Sequence, residues 1–284
     1  MNNIQKNRWK DQAFKYWGIF CTIIGLVLLV VFIGDIFIDG ISRIDWGFIT
    51  DLPSRKAENS GIYTALMGSI WILVLTTIIA FPIGVAAGIY LEEYAKNNKL
   101  AGLLEINISN LAGVPSIIYG LLGLEVFVRI MNLGASVLAG ALTLSLLILP
   151  IVIVATREAI KAVPKSIKDA SYALGASKWQ TIWHQILPAS GGGILTGVIL
   201  ALSRAVGETA PLIVVGALAY VPFAPSSPMD EFSVMPIQIF NWISRPQSGF
   251  IENAAAAIII LLGITFIMNG IAVYFRNKWQ KKWK

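Results

Sequence analysis

Arg204 and Glu208 stand four positions apart in SRAVGETAPL, inside a run that is otherwise apolar. On a helix that spacing sets both side chains on one face. An ionised side chain at mid-membrane costs at least ~2.5–3 kcal/mol even on mild insertion scales, so it needs a partner or a wet cavity. An i, i+4 ion pair that neutralises itself meets that need. So does a pathway site at which Arg204 meets an anion, and the two are compatible. Arginine suits the second because its planar fork stays charged and matches an oxyanion. Glu208 then does more than balance charge. A carboxylate can accept a hydrogen bond from a protonated oxyanion such as hydrogen phosphate, but it repels sulfate, which has no proton to donate.

Other chemistry is sparse. There is no GxxxxGK[ST]; the run Gly191–Gly193 lacks the lysine and sits at the entrance of an apolar segment, so it is no phosphate-cradling loop. His184 is the only histidine and has no Cys or carboxylate at ligand spacing, which argues against a metal site. No nucleophile–base pairing stands out, so the chain is expected to hydrolyse neither ATP nor any other substrate. Glu125 with Arg129 reads as an interfacial pair, and Arg157 with Glu158 marks the inner end of an apolar run.

The elements that must carry these residues are membrane helices. Hydrophobic residues make up 56% of 284 and charged ones 13%; mean hydropathy is +0.71. A soluble domain carries roughly twice that charge. The net charge of +6 could point to nucleic acid, but Lys and Arg collect in short segments beside apolar runs. Cys21 is the single cysteine, so no internal disulfide forms. The first apolar run is too long for a removed signal peptide and has no small-residue cleavage site. A hydrocarbon core of ~30 Å needs about 20 helical residues. Six runs qualify, near Tyr16–Ile38, Ile62–Tyr90, Leu103–Val128, Leu133–Thr156, Gly191–Tyr220 and Ala254–Phe275. The expected class is an all-α polytopic membrane protein.

Sidedness follows from the flanks. Lys6, Arg8, Lys10, Lys15, Lys96, Lys99, Arg157, Lys161, Lys165, Lys168, Lys178, Arg276, Lys278, Lys281, Lys282 and Lys284 fall on one side, and Arg43, Arg55, Lys56, Arg129 and Arg245 on the other. Sixteen against five puts both termini on the cytoplasmic side of the membrane.

Between the fourth and fifth runs lies a basic island, Glu158–Pro188. Pro164 suits the first turn of a helix. Ile167, Ala170 and Leu174 recur at helical spacing, and Gly175 follows as a left-handed cap. Ser177 can cap a second helix whose Trp179, Ile182, Trp183 and Ile186 form one apolar face, and Pro188 is expected to stop it. An amphipathic helical hairpin therefore faces the aqueous side. A bare loop would suffice to join two spans, so the hairpin is expected to dock something.

Elsewhere, Gly84 and Gly88 after Pro82 permit close helix approach or a hinge. NLAGVPSIIYGLLGL, with Gly113, Pro115, Gly120 and Gly123, makes an interruptible helix that either packs closely or lines a pathway. The connection Val221–Asn253 holds VMPIQIFNWISRP, read as a short amphipathic helix after Pro236, either a plug or ledge or an interfacial helix anchored by Trp242.

The island resembles the cytoplasmic EAA motif of bacterial ABC importer permeases. Asp169, Ala170 and Ser171 stand for Glu-Ala-Ala, Gly175 for the motif glycine, and Leu187 and Pro188 for its ending. Asp169 replaces the usual glutamate, and Gln185 the isoleucine. YLEEYA at Tyr90–Ala95, GVPSIIYGLLGL at Gly113–Leu124, SRAVGETAPL at Ser203–Leu212 and IQIFNWISRP at Ile237–Pro246 together resemble the A-type permease subunits of phosphate importers, the PstA family. The likeness runs from about Ile62 to Tyr274. It implies a type I importer permease fold: an N-terminal tail, first span and external loop over 1–61, the permease domain over 62–275 with the coupling hairpin at 158–188, and a basic tail over 276–284. It further implies a heterodimer with a C-type permease subunit, two ATPase subunits that hold ATP and Mg, and an extracytoplasmic phosphate-binding protein. The chain itself would bind no cofactor. Asp169, Ala170, Gly175, Trp179, Leu187 and Pro188 would meet the ATPase.

Three other readings compete. A permease of the same architecture could carry sulfate, molybdate or an amino acid; Glu208 beside Arg204 argues against fully deprotonated oxyanions. A secondary transporter would show inverted repeats and several midplane charges, and neither is evident. A membrane-anchored DNA-binding regulator is disfavoured because both ends of the hairpin are tied to spans.

Overall fold

The computed structural model describes residues 3–95, 99–217 and 220–281, and no strand occurs among them. Helix α1 covers Asn3–Gly40. The short α2 (Trp46–Thr50) precedes α3 (Tyr63–Ile89), which continues into a π turn, Tyr90–Tyr94. Then come α4 (Lys99–Leu111), α5 (Ser116–Gly123, extended by a π segment to Ile130) and α6 (Val137–Lys161). Helices α7 (Lys165–Ala173) and α8 (Lys178–Thr181) form the hairpin, and α8 passes through a π turn, Ile182–Ile186, into α9 (Leu187–Val206). Helices α10 (Ala210–Val215), α11 (Met235–Ile243) and α12 (Ser248–Lys281) complete the described chain. Lys96, Lys282 and Lys284 of the predicted basic flanks lie outside the described residues.

Among the described residues five stretches are long and apolar enough to cross a membrane, and α4 with α5 makes a sixth if its two halves count as one bent span. The third span, expected over Leu103–Val128 with an interruptible helix around Gly113 and Pro115, is broken there by 102°, between Leu111 and Ser116. Pro115 disfavours helical backbone at Val114 and has no N–H to offer the preceding turn. The fifth span, predicted over Gly191–Tyr220, is instead helical from Lys178 to Val206 and stops there. Pro188 does not end the hairpin's second arm. It falls just after the π turn, and such a wider turn accommodates a residue that lacks its backbone donor.

Helix α6 is the centre of the fold. Lipid supplies no hydrophobic drive between helices, so small residues that let backbones meet do the packing. A Cβ built on Gly84 or Gly88 of α3 comes within 2.6 Å of Val152 or 2.7 Å of Thr156 on α6. One built on Gly193 or Gly197 of α9 comes within 2.7 Å of Ala159 or 2.1 Å of Ala155. The pair after Pro82 is thus a packing seam between α3 and α6. On the face away from the hairpin, a second cluster joins Phe48, Met235, Trp242 and Phe250. Trp242 is fully buried, with its ring 5.9 Å from that of Phe48, so α11 is packed into the protein through Trp242 and not anchored by it at an interface. A third cluster, Ile160, Ile182 and Ile186, sits at the foot of the hairpin.

Candidate transport site and coupling hairpin

The helix that carries Arg204 ends two residues later, at Val206. Gly207 is its C-cap, and the amides of Gly207 and Glu208 bond back to the carbonyls of Arg204 and Ala205. Glu208 therefore lies in the break between α9 and α10, not in mid-helix. The pair still forms: Arg204 Nε donates to Glu208 Oε1 at 3.2 Å. The arginine side chain is 43% exposed and the glutamate 15%. Among the described residues the two terminal nitrogens of Arg204 make no hydrogen bond, which leaves half of the guanidinium fork open. Glu208 lines a narrow cleft with Ser69, Val234 and Pro236.

Two broken helices meet beside this pair. Gly120 of α5 is so close to α10 that an added Cβ lies 2.7 Å from Pro211 Cα and 2.9 Å from Val214 Cβ. Tyr119 Oη donates to the Leu111 carbonyl at 2.8 Å, which bridges the break between α4 and α5. The GVPSIIYGLLGL and SRAVGETAPL stretches, far apart in sequence, are thus one packed unit.

The hairpin forms much as its sequence predicts. Gly175 has φ +83°, a conformation that suits glycine, and the Cβ it lacks would meet only open space. Ser177 and Gln180 form a reciprocal capping box at the start of α8. Pro164 occupies the N-cap of α7, one residue before the expected first turn. The residues expected to meet an ATPase separate into two sets. Asp169, Ala170, Gly175 and Trp179 are exposed on the arms, whereas Leu187 and Pro188 are half-buried and line an apolar cavity of 460 Å³ with Phe81 and Trp183. Leu174, at the tip, is 90% exposed. It borders a groove of 690 Å³ between the arms, together with Ile167, Ala170, Gly175 and Gln180. Trp179 stacks on Trp183 with centroids 5.6 Å apart. His184 Nδ1 lies 3.0 Å from the Gln180 carbonyl, an ordinary helical contact.

Of the other charges, Glu125 and Arg129 pair as the sequence suggests, at 2.9 Å and both exposed. Arg157 does not turn to Glu158. It reaches Glu92 at 3.5 Å and Glu105 at 3.0 Å, while Glu158 takes Lys161 at 3.0 Å. Glu92 and Glu93 had no assigned role in the sequence, although they lie in the YLEEYA stretch. The available signal was a carboxylate doublet closing a span on the side otherwise rich in Lys and Arg.

The family described as binding-protein-dependent transport system inner membrane component matches residues 80–281. The chain belongs to this family. This permease is 34% identical over 264 residues to the probable ABC transporter permease protein YqgI of Bacillus subtilis, with 88% of this chain and 90% of that protein covered. It is 33% identical over 258 residues to the phosphate transport system permease protein PstA of Yersinia pestis, with 90% and 86% covered. Among solved structures, a chain of the bacterial alginate ABC transporter, in complex with alginate pentasaccharide-bound periplasmic protein, matches with a TM-score of 0.69 at 14% identity, covering 97% of this chain and 96% of that one. The inward-facing MetNI methionine ABC transporter gives 0.63 at 15% identity, covering 77% and 97%. At such identities the likeness is one of fold, and that fold is the type I ABC importer permease.

Proposed function

We propose that this permease is the A-type subunit of an ATP-driven phosphate importer. The observation that carries the substrate is the Arg204–Glu208 pair at the helix break: one guanidinium edge is held by the carboxylate at 3.2 Å and the other is open. An oxyanion can take the open edge, and the glutamate can accept a hydrogen bond from the O–H that hydrogen phosphate still carries. Relatives named as phosphate transport permeases, one of them 33% identical over nearly the whole length, support the same choice.

On this reading both termini and the hairpin face the cytoplasm, in line with the basic flanks. The exposed arm residues Asp169, Ala170, Gly175 and Trp179, with Leu174 at the tip, enter a cleft on an ATPase subunit. Leu187 and Pro188 brace the hairpin's foot. A C-type permease completes the pathway, a phosphate-binding protein delivers to the outer face, and two ATPase subunits bind and hydrolyse ATP with Mg. This chain supplies the anion site and the docking element, and it binds no nucleotide. The deciding experiment measures labelled phosphate uptake, with sulfate as competitor, in vesicles holding the full complex. Uptake that is lost in Arg204→Ala and indifferent to sulfate supports the reading. Unimpaired uptake in that variant removes Arg204 from the pathway.

A further inference from the structure

The first arm of the hairpin has a peculiarity of packing: none of the residues of α7 is buried. With Ile167 only half-buried, apolar contacts hold this helix weakly, and polar ties help to orient it. Two are present. Ser171 and Thr181 join the arms to each other, hydroxyl to hydroxyl, at 2.9 Å. The other tie leaves the hairpin: Lys168 pairs with Glu93 in the π turn that closes α3. Glu93 also reaches the second arm, since its backbone carbonyl accepts a hydrogen bond from Lys178 Nζ. The same ammonium lies 4.8 Å from the centroid of the Tyr94 ring. Next door, Glu92 turns to Arg157 at the end of α6, and Arg157 holds Glu105 of α4. One short turn thus grips both arms of the hairpin and the ends of two spans.

The Glu93 side chain is only 6% exposed and that of Lys168 21%, so water screens this pair less than an ordinary surface pair. The route from α7 through Gly175 is soft by comparison, because the glycine stands in open space with a left-handed backbone. We propose that Glu93 is a positioning residue that couples the hairpin to the second span: its carboxylate holds the first arm, its carbonyl the second, and hairpin movement is passed through it to α3. This rests on the reading of the hairpin as the ATPase dock.

The test uses the complete transporter, with ATPase and phosphate-binding protein, reconstituted in proteoliposomes. Phosphate taken up per ATP hydrolysed is measured for wild type, Glu93→Gln, Lys168→Gln and the double variant. Lys168→Gln is the variant least prone to misfold, as it changes an arm with no buried residue. Each single variant is expected to lower the ratio about tenfold, and the double variant no further, because both remove one link. A merely structural role lowers the number of working complexes, hence uptake and hydrolysis together, and leaves the ratio unchanged; that result overturns the proposal. So do losses that multiply in the double variant. If wild-type vesicles hydrolyse ATP without taking up phosphate, the functional reading itself has failed and this inference falls with it.

Discussion

Gly120 of α5 and Pro211 of α10 touch backbone to backbone, so closely that a Cβ on the glycine would stand 2.7 Å from the proline Cα. The contact locks the segment after one broken helix to the segment after another. Both breaks lie beside the Arg204–Glu208 pair, which makes the geometry of that pair depend on residues 91 positions apart in the chain.

Gly120→Leu is expected to separate α5 from α10. Overpacking a tight contact costs about 1–3 kcal/mol. The variant should insert in the membrane and keep its hairpin, yet melt at a lower temperature in detergent and transport poorly. Thermal unfolding of the purified complex, set beside Gly18→Leu, where the added side chain meets nothing, checks this.

Arg204→Lys should behave differently from Arg204→Ala. Lysine keeps the charge but not the planar fork, so phosphate affinity is expected to fall by about tenfold, equivalent to roughly 1.4 kcal/mol, while sulfate discrimination persists through Glu208. Glu208→Gln should instead relax discrimination against sulfate. Competition curves for labelled phosphate uptake distinguish the two.

Gly175→Val places a β-branched residue at φ +83°. The left-handed region costs an ordinary L residue about 1–2 kcal/mol, and a branched one more. The arms should re-orient, and co-purification with the ATPase should drop while membrane insertion is unchanged. Leu174→Asp tests the same surface without backbone strain, because that side chain is 90% exposed.

Asp230 organises the loop that caps α6. Its carboxylate accepts from the amides of Ser226 and Ser227 and from the Ser226 hydroxyl, and these bonds hold its pKa below the ordinary aspartate value. The carbonyls of Pro228 and Asp230 in turn accept from the first amides of α6, at 2.8 and 3.0 Å. Because the folded pKa is depressed, the contribution is fully present above the unfolded aspartate pKa and is lost as pH falls through the folded one. Exchange protection of the Val137 and Leu138 amides is therefore expected to hold through mild acid and fade only below the usual aspartate range. Asp230→Ala should abolish that pH dependence.

Much of this molecule is legible one segment at a time. A lipid core requires each span to satisfy its own backbone hydrogen bonds, so length and apolarity alone reveal the crossings. The hairpin is equally local: Gly175 supplies the left-handed residue, and Ser177 with Gln180 supplies the cap within four positions. Arg204 and Glu208 announce themselves because charge is costly where they stand. Gly113 and Pro115 announce the interruption of the third span, but tertiary structure alone decided its 102° angle, the passage of α8 through Pro188 into α9, and the end of α9 at Val206. It also decided that Arg157 serves Glu92 and Glu105, and that Glu93 grips Lys168. Residues 93 and 168 are 75 positions apart, and a helical period carries no information over that distance. Which opposite charges meet is set by how α3 and α6 seat against each other through Gly84 and Gly88, and that seating exists only once the helices have assembled.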